Sequence, residues 1–412
     1  MSTPDPIVIV GGGHAGAALC VALAEAGLGA RVHLVCDEPV LPYQRPPLSK
    51  SFLKNPDEAP ALHRAEAWYA EAGITLHRGD AAVAIDRAGH RLQLASGTAL
   101  PYAQLVLATG ARARTLPALQ GLDNVAVLRS AADAVRTRAL LAAAQRVTVL
   151  GGGYIGLEIA ASAQALGKQV TVLEAAPRLL ARSLSAAMAE HVLQAHRASG
   201  IDLRLGVHVG GFEAAGGRLQ ALQVDGVRED VDLLVLGIGA VPEDTLARAA
   251  GLACADAADG GGVLVDAALR SSDPDVLAIG DCASFPLAGS TQPLRRLRLE
   301  SVPNAGDQAR TAAATLQGRQ PVHAALPWFW SDQGGLRLQM AGLLPAHAVV
   351  HRRPGPTPTG FSLLHYVGDR FACVESVNAP MDHMMARKLL EAGKSPDPAA
   401  ACDPAQPLKQ WL

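Results

Sequence analysis

Two stretches of the chain share one pattern of apolar and polar positions. Each opens with a short β-branched strand, at residues 7–10 and 147–150, and runs through a glycine-rich turn into a helical stretch of small and apolar residues. A second apolar strand follows, at residues 31–36 and 169–173. The pattern predicts two strand–turn–helix–strand units about 140 residues apart, and with them an α/β fold.

Both turns have the spacing G-x-G-x-x-G. The glycines are Gly11, Gly13 and Gly16 in the first unit, and Gly151, Gly153 and Gly156 in the second. An acid, Asp37 or Glu174, closes the second strand of each. Glycines in this setting let the backbone approach a pyrophosphate at a helix N-terminus, and the acid accepts hydrogen bonds from a ribose. The sequence therefore predicts two Rossmann-like dinucleotide-binding domains.

Two such sites suit a pair of cofactors that exchange electrons, namely a tightly held flavin and a diffusible nicotinamide. The alternative is a duplicated domain with one inactive copy. Both glycine triads and both acids are present, which favours two working sites.

Three further apolar strands end at glycines. They read LVLATG (105–110), VDLLVLGIG (231–239) and DVLAIGD (275–281). Ligands of open α/β sheets bind at such carboxyl ends. The acid of the third strand, Asp281, is therefore either a helix cap or a ligand group.

The pattern changes after about residue 320. Before it, we predict helices at 61–73 and 300–318 and β-hairpins over 74–100. After it, alternating strands are predicted at 336–340, 348–352, 361–366 and 370–377, followed by a helix at 381–391 and an irregular, proline-rich tail. This segment is predicted to be a separate α+β unit.

Composition narrows the functional class. The net charge of −2 and the pI near 6.7 give no general attraction to nucleic acid or to an anionic membrane. No apolar run approaches the roughly 18 residues of a membrane span. The strand at residue 7 leaves no room for a signal peptide. The six cysteines form no CxxC or CxxH spacing, so we expect free thiols in a cytoplasmic protein that has no metal site of its own.

A series of motifs extends over nearly the whole chain. In order they are GGGHAG, PYQRPPLSK, LVLATG, GGGYIGLE, GIGAVPED, AIGDCA, ESVPNAGDQAR and PWFWSDQ. The series resembles the NADH-dependent ferredoxin reductases that serve bacterial oxygenases, whose fold is glutathione-reductase-like. The resemblance implies an FAD-binding domain at 1–110 and 242–320, an NADH-binding domain at 111–241 and a C-terminal interface domain at 321–412.

The resemblance also implies site residues. FAD would be lined by Gly11, Gly13, His14, Ala15, Gly16, Asp37, Arg45, Lys50, Ala108, Thr109, Gly110, Arg129, Asp281, Val302 and Trp330. NADH would be lined by Gly151, Gly153, Tyr154, Ile155, Gly156, Glu174, Arg182 and Gly239. Lys50, Glu158 and Trp330 would lie near the reacting rings. Arg45 and Lys50 are alternatively surface charges, and Trp330 is alternatively a packing residue.

Two positions depart from the family pattern. His14 stands where relatives often carry an apolar residue, and Gly334-Gly335 stands where some carry a tyrosine and an acid. Because of the second departure, the family pattern does not define the shape of the surface beside the presumed flavin.

The implied activity passes hydride from NADH to FAD and then single electrons to a [2Fe-2S] ferredoxin. That ferredoxin would feed an oxygenase, either a Rieske dioxygenase or a cytochrome P-450. Rubredoxin reduction, NADH oxidation and redox-regulated binding similar to apoptosis-inducing factor are the alternatives. Flavin-dependent disulfide reduction needs a cysteine pair in the loop that here reads PYQRPPLSK, and the sequence has no cysteine between Cys36 and Cys254.

Three arginines, Arg295, Arg296 and Arg298, form a basic cluster that would suit an acidic ferredoxin. An ordinary solvated loop is the alternative interpretation. The sequence is compatible with a monomer or a homodimer.

Glu174 is predicted to determine whether the protein prefers NADH or NADPH. Its carboxylate suits a free 2′-hydroxyl and repels the 2′-phosphate of NADPH, although Arg178 and Arg182 lie just beyond it. Replacing Glu174 by Ala or Arg is expected to narrow the preference for NADH over NADPH. Steady-state kinetics with both cofactors measures this preference, and an unchanged ratio of kcat/KM values would refute the role.

Overall fold

The computed structural model describes residues 5–288 and 295–412, which form two compact units. The first unit takes the described residues of Met1–Arg45, Pro60–Arg112 and Ala240–Ala325. The second takes Pro46–Ala59, Ala113–Gly239 and Leu326–Leu412. Residues 46–59 and the C-terminal segment thus belong to the same unit as the second glycine turn. The division into three domains inferred from the sequence stays a prediction.

The described strands are β1 (Ile7–Val10), β2 (Val32–Cys36), β3 (Thr75–Arg78), β4 (Ala82–Asp86), β5 (Arg91–Leu94), β6 (Ala99–Pro101), β7 (Gln104–Leu107), β8 (Ala111–Ala113), β9 (Val125–Ala126), β10 (Arg146–Leu150), β11 (Gln169–Glu174), β12 (Asp202–Leu205), β13 (Val209–Ala215), β14 (Arg218–Val224), β15 (Val227–Asp230), β16 (Leu233–Leu236), β17 (Ala240–Pro242), β18 (Val263–Leu264), β19 (Val276–Ala278), β20 (Ala283–Pro286), β21 (Arg296–Leu297), β22 (Trp328–Gln333), β23 (Leu336–Gly342), β24 (Val349–Pro354), β25 (Phe361–Val367) and β26 (Arg370–Val377).

The described α-helices are α1 (His14–Glu25), α2 (Ser51–Lys54), α3 (Glu66–Glu71), α4 (Ala131–Ala143), α5 (Tyr154–Ala165), α6 (Ala186–Ala198), α7 (Thr245–Ala249), α8 (Val302–Leu316), α9 (Pro380–Glu391) and α10 (Pro398–Cys402).

The main sheet of the first unit is parallel, with the strand order β19–β7–β1–β2–β3. The residues of β1 are apolar and buried without alternation, as expected where both faces of a sheet are covered. The prediction of hairpins over 74–100 was wrong for β3, which pairs in parallel with β2. It is confirmed for the antiparallel strands β4, β5 and β6. A short strand with polar ends looks the same in either setting, so its pattern cannot decide between them.

The second unit contains a parallel sheet with the order β12–β11–β10–β16–β9. Its first four strands follow the chain in the same way as β3, β2, β1 and β7 of the first unit. An antiparallel group, β13–β14–β15, is appended to it. The predicted repetition of one α/β pattern is thereby confirmed.

The C-terminal segment forms an antiparallel sheet with the order β22–β23–β26–β25–β24, and α9 packs on β23 and β26. The strands and the helix predicted for this segment are confirmed to within about two residues. The prediction of an irregular tail was wrong at α10. Asp397 caps this short helix by accepting the N–H of Ala400 at 2.9 Å, and a proline at the first helical position costs no hydrogen bond.

None of the helices in residues 5–288 and 295–412 is both long enough and apolar enough to span a membrane.

Buried His383 gives a prediction about stability and pH. It lies on α9 and is 2% exposed, and burial followed by the charges of Arg387 and Arg337 lowers the pKa of His383 to about 4. The unfolded chain binds this proton more readily, with a pKa near 6.5, so the contribution is full above that value and is lost as the pH falls below it.

We expect His383 alone to lower the free energy of unfolding by about 2 kcal/mol between pH 7 and pH 5. His383→Phe should remove this part of the pH dependence, while the other histidines act equally in both proteins. Urea unfolding at the two pH values measures it. An equal pH dependence in the variant would show that His383 does not titrate in this way.

Candidate functional site

The carboxyl ends of three neighbouring strands gather predicted residues of the first unit. β19, β7 and β1 are adjacent and parallel. Gly11 follows β1, residues 108–110 follow β7, and Asp281 follows β19. A Cβ on Gly280 would lie 3.0 Å from the Cβ of Ala15 in α1, so the loop after β19 packs on the helix of the glycine turn. This edge is where open α/β sheets bind ligands.

The first glycine turn fits a pyrophosphate. A Cβ on Gly11 would lie 2.2 Å from the carbonyl oxygen of Ala108, and one on Gly16 would lie 2.0 Å from that of Gly11. By contrast, no described atom beyond its chain neighbours lies within 4 Å of a Cβ built on Gly13. Gly13 is the N-cap of α1 and offers no capping side chain. The turn is therefore closed where the backbone packs and open where a phosphate would approach the helix N-terminus.

The acids of the two units are not equivalent in position. The first glycine of each turn donates its N–H to the neighbouring strand, to Val35 in one unit and to Leu173 in the other, both at 2.8 Å. The next residues, Cys36 and Glu174, therefore correspond. The acid predicted for the FAD ribose, Asp37, lies one residue further on, is exposed and accepts the next N–H at 2.9 Å.

The loop after β2 folds onto the same turn. Arg45 pairs with Glu38 at 2.9 Å, and the Tyr43 hydroxyl donates to the same carboxylate at 2.6 Å. His14 of the glycine turn meets the ring of His63 edge to face, with ring centroids 4.6 Å apart. Arg45 is thus part of a defined cluster, and the sequence reasoning missed Glu38 as its partner.

Two other residues predicted for FAD have structural contacts in the first unit. The Thr109 hydroxyl donates to the carbonyl oxygen of Glu243 at 2.6 Å, which fixes the loop after β7. Val302 is half-buried and begins α8. Gln308 of the same helix accepts the N–H of Gly280 at 2.6 Å and so holds the loop that carries Asp281.

The second glycine turn has the same shape. It follows β10, whose neighbours β11 and β16 end at Glu174 and just before Gly237. A Cβ on Gly151 would lie 2.5 Å from the carbonyl oxygen of Gly237, and one on Gly156 would lie 2.2 Å from that of Gly151. The nearest described atom to a Cβ on Gly153 is 3.7 Å away. The second turn therefore also leaves its middle glycine accessible to a phosphate.

Glu174 is held firmly at this turn. One carboxylate oxygen, Oε2, accepts the N–H of Gly152 at 2.6 Å, and the other, Oε1, accepts that of Ala176 at 2.7 Å. Each oxygen has a further lone pair, so the group is oriented without being saturated.

The two arginines beyond Glu174 differ. The guanidinium of Arg178 donates to the carbonyl oxygens of Ala181, at 2.8 Å, and of Leu184. Arg182 is exposed, and its Nη2 would lie 3.8 Å from a Cβ on Gly239. The structure therefore brings Arg182 and Gly239 together, as predicted for one site, and ties Arg178 to its own loop.

Tyr154 and Ile155 begin α5. The ring of Tyr154 packs edge to face on Phe329, with centroids 4.7 Å apart, and burial raises the pKa of Tyr154. Ile155 leaves 45% of its surface exposed beside the glycine turn. Tyr154 thus anchors the start of α5 to β22, and Ile155 leaves apolar surface exposed next to the turn.

A buried carboxylate collects three donors in the second unit. Glu158 on α5 is 4% exposed. Its Oε2 accepts from the Ser49 hydroxyl at 2.5 Å and from Lys50 Nζ at 2.7 Å, and its Oε1 accepts from the Ser331 hydroxyl at 2.6 Å. Lys50 is thus not a free surface charge, and it is in direct contact with Glu158, which was likewise predicted to lie near the reacting rings.

Hydrogen bonds continue this network along β22. Gln333 donates to the Ser331 hydroxyl at 3.1 Å, and its Oε1 lies 2.9 Å from Nε2 of buried His196. The sequence reasoning missed Ser49, Ser331 and Gln333. For Ser331 and Gln333 a signal was available in PWFWSDQ. Side chains alternate along a strand, so residues 331 and 333 lie on one face and Trp330 lies on the other.

The remaining predicted residues of the second unit are partly accessible. Trp330 is half-buried, 5.8 Å from the Trp328 ring centroid, and Arg387 lies over Trp328 at 4.5 Å. Arg129 is half-buried just before α4, and its N–H donates to the Asp133 carboxylate at 3.1 Å. Trp330 is therefore not a fully buried packing residue.

The cysteines are unpaired thiols. Burial is the first cause that raises the pKa of each of them, namely Cys20, Cys36, Cys254, Cys282, Cys373 and Cys402. Since the thiolate is the nucleophile, none of these groups is activated for disulfide exchange.

The three arginines of the predicted basic cluster differ in their exposure and in their partners. Arg295 is exposed. Arg296 donates to the carbonyl oxygen of Ser284 at 2.7 Å, and burial lowers its pKa. Arg298 pairs with Glu300 at 2.7 Å. Only part of the predicted basic cluster is therefore presented to solvent.

Two known family models match nearly the whole chain. The model of the family described as pyridine nucleotide-disulphide oxidoreductase matches residues 5–309, and a reductase C-terminal model matches residues 328–412. The chain belongs to the pyridine nucleotide-disulphide oxidoreductases.

Similar proteins cover almost the whole chain. Rhodocoxin reductase of Rhodococcus erythropolis is 42% identical over 403 residues, which are 96% of this chain and 92% of the relative. The crystal structure of a ferredoxin reductase from Rhodopseudomonas palustris has a TM-score of 0.92 at 40% identity, covering 98% of this chain and 99% of that one. A covalent putidaredoxin reductase–putidaredoxin complex gives 0.91 at 37% identity, covering 99% and 98%.

These likenesses confirm the predicted family and the α/β fold with dinucleotide-binding domains and a C-terminal reductase domain. They also confirm the prediction of a flavin- and NAD-dependent ferredoxin reductase at the level of the family. The roles of individual site residues stay predictions.

Substitutions at the third glycine of each turn test which cofactor that turn binds. Gly16→Ala would place a Cβ 2.0 Å from a backbone oxygen in the first turn, and Gly156→Ala one 2.2 Å from the equivalent oxygen in the second. We expect Gly16→Ala to abolish FAD retention. Gly156→Ala should retain FAD but raise KM for NADH by at least about tenfold, as expected when a phosphate contact is lost.

Flavin absorbance per protein and NADH–ferricyanide kinetics measure the two effects. Gly97→Ala is a control for general destabilisation: its positive φ strains an added side chain, but it lies in the turn between β5 and β6, where no described atom beyond its chain neighbours lies within 4 Å of the new Cβ. Loss of flavin in Gly156→Ala with retention in Gly16→Ala would reverse our assignment of the two turns.

Proposed function

We propose that this protein carries electrons from NADH through FAD to a [2Fe-2S] ferredoxin that supplies an oxygenase, either a Rieske dioxygenase or a cytochrome P-450. The supporting observation is the pair of glycine turns with matching shape, each at the carboxyl edge of a parallel sheet in its own unit. FAD, when bound, supplies the chemistry that converts a two-electron hydride donor into a source of single electrons.

The first unit holds FAD in this proposal. The pyrophosphate lies at Gly13 and the N-terminus of α1, where the helix dipole and free N–H groups favour an anion. Asp37 accepts from the adenosine ribose. Asp281 reaches the cofactor from the end of β19, because the adjacent Gly280 packs against Ala15 at the start of the same helix.

The second unit holds NADH. Gly153 and the N-terminus of α5 take its pyrophosphate, and Glu174 accepts from the adenosine ribose. The two N–H groups that orient Glu174 spare it the cost of reorganisation when the ribose arrives. Because the guanidinium of Arg178 is occupied by carbonyl oxygens, it does not serve a 2′-phosphate, which favours NADH over NADPH.

Lys50 supplies a fixed positive charge. Its ammonium donates to Glu158 at 2.7 Å and to the carbonyl oxygen of Pro46 at 3.0 Å, so its position is set by two acceptors. A charge held in place before reaction stabilises developing negative charge without the cost of reorganisation. The places of Lys50 and Trp330 beside the flavin remain predictions from the family resemblance.

Electrons leave toward another protein. The loop that would hold a redox-active cysteine pair has none, and the thiols elsewhere stay protonated. One structural relative was solved in covalent complex with putidaredoxin, which supports an iron–sulfur partner for this chain. We place part of the docking surface at Arg295, whose exposed charge complements an acidic ferredoxin.

The test is NADH-driven reduction of a [2Fe-2S] ferredoxin by the purified flavoprotein. Arg295→Glu should lower kcat/KM for the ferredoxin about five- to tenfold at low ionic strength, and the difference should shrink as salt screens the charges. NADH–ferricyanide activity should not change, since Arg295 is not part of the proposed cofactor sites.

Arg91→Glu is the matched control, because Arg91 is also exposed in the first unit but lies on β5. Equal behaviour of the two variants would remove Arg295 from the docking surface. Absence of ferredoxin reduction in the unaltered protein, with rubredoxin reduction or oxygen consumption in its place, would overturn the proposed function itself.

A further inference from the structure

Helix α6 is attached along its length to the C-terminal sheet. Three contacts made at roughly regular spacing join them: the N–H of Ser185 to Glu375 Oε1 at 2.7 Å, the ring of His191 to that of Phe361 at 4.9 Å between centroids, and His196 Nε2 to Gln333 Oε1 at 2.9 Å. Ser185 is the N-cap residue of α6. The C-terminal sheet therefore fixes where this helix begins.

Glu375 is an unusual residue for its place. It lies on β26, inside the antiparallel sheet, and is 1% exposed. A carboxylate in such a position is costly unless both oxygens have partners, and an apolar side chain would pack there at lower cost. Here Oε1 accepts the N–H of Ser185, and Oε2 lies 2.8 Å from His365 Nε2. The acid is thus used to hold a helix N-terminus, where a negative charge is favourable.

The helix that Glu375 holds follows the loop of the NADH site. Glu174 fixes the start of this loop through the N–H of Ala176, and Glu375 fixes its end through Ser185. Between them Leu180 has a positive φ of 50° and donates its N–H to the carbonyl oxygen of Gly152 at 3.3 Å. Such a strained residue persists only where the surrounding structure determines it, and the two acids at the ends of the loop are part of that structure.

Arg182 lies in this loop, next to Gly239. The charge of Glu375 also reaches Tyr154, since it adds to burial in raising the pKa of that phenol. One acid from the C-terminal segment therefore holds the end of a loop that belongs to the same nucleotide site.

We propose that Glu375 is a positioning residue for NADH: by holding Ser185 it sets the loop 175–184, and thereby the affinity for the dinucleotide. The inference rests on the proposed function, because it concerns the same NADH site. It assigns to the C-terminal segment a part in nucleotide binding in addition to any part in partner docking.

Two substitutions at Glu375 test this. Glu375→Leu removes the acceptor and should raise KM for NADH, by about tenfold where the whole free energy of this charged hydrogen bond goes into ordering the loop for binding. Its kcat with ferricyanide should stay within about twofold, because the residue acts on binding alone. Glu375→Gln keeps an acceptor for the N–H of Ser185 and should restore most of the affinity. Calorimetric binding of NAD⁺ gives the same comparison without turnover.

A second pair of variants keeps the test valid if Glu375→Leu does not fold. Ser185 has a φ of −64°, which suits proline, so Ser185→Pro removes the N–H donor with little backbone change. Ser185→Ala retains the N–H and loses only the hydroxyl cap on Met188. We expect Ser185→Pro to weaken NAD⁺ binding about tenfold, and Ser185→Ala to change it much less.

Asp382→Asn is the stability control. It weakens a partly buried pair, Arg353 with Asp382 at 3.1 Å, in the same segment but on α9. If Glu375→Leu and Ser185→Pro lower the melting temperature as Asp382→Asn does and leave NAD⁺ affinity unchanged, the contact is merely structural and the inference fails. If the unaltered protein neither binds NAD⁺ nor oxidises NADH, the proposed function fails instead.

Discussion

A carboxylate withdrawn from water needs donors around it, and Glu158 obtains them from distant parts of the chain. Ser49 and Lys50 come from the proline-rich loop, and Ser331 comes from the C-terminal sheet. A buried carboxylate without partners costs several kcal/mol, so α5, this loop and β22 stabilise one another. The requirement explains why residues 46–59 and 326–412 belong to the same compact unit as the second glycine turn.

The glycine turns of the two parallel sheets share one geometry and differ in the residue beside it. Glu174 accepts the N–H of Gly152 in the second unit. In the first unit Cys36 occupies that position, and a Cβ on Gly12 would lie 2.5 Å from its sulfur. A buried thiol cannot take the part of a ribose acceptor, so our proposal gives that part to Asp37. In our proposal the phosphate end of the site is therefore common to both units, and the ribose end distinguishes them.

Local patterns were sufficient for the glycine turns, the strands that end in glycine and the C-terminal strands, because each depends on neighbours in sequence. They were insufficient where a residue acquires its role through long-range contact. Ser331 is one polar residue among aromatic ones until α5 brings Glu158 against it. Arg295 and Arg296 are identical neighbours in the sequence, and only the carbonyl oxygens around Arg296 show which guanidinium turns inward. Glu375 could have been noticed as an acid within an apolar strand, but its partner Ser185 could not.

Burial of the thiols has a consequence for durability. Attack on hydrogen peroxide requires a thiolate, and burial keeps each cysteine of this chain protonated at neutral pH. A thiol that stays protonated reacts slowly with peroxide, so the cysteines of this chain are protected from oxidation and from the disulfides that would follow.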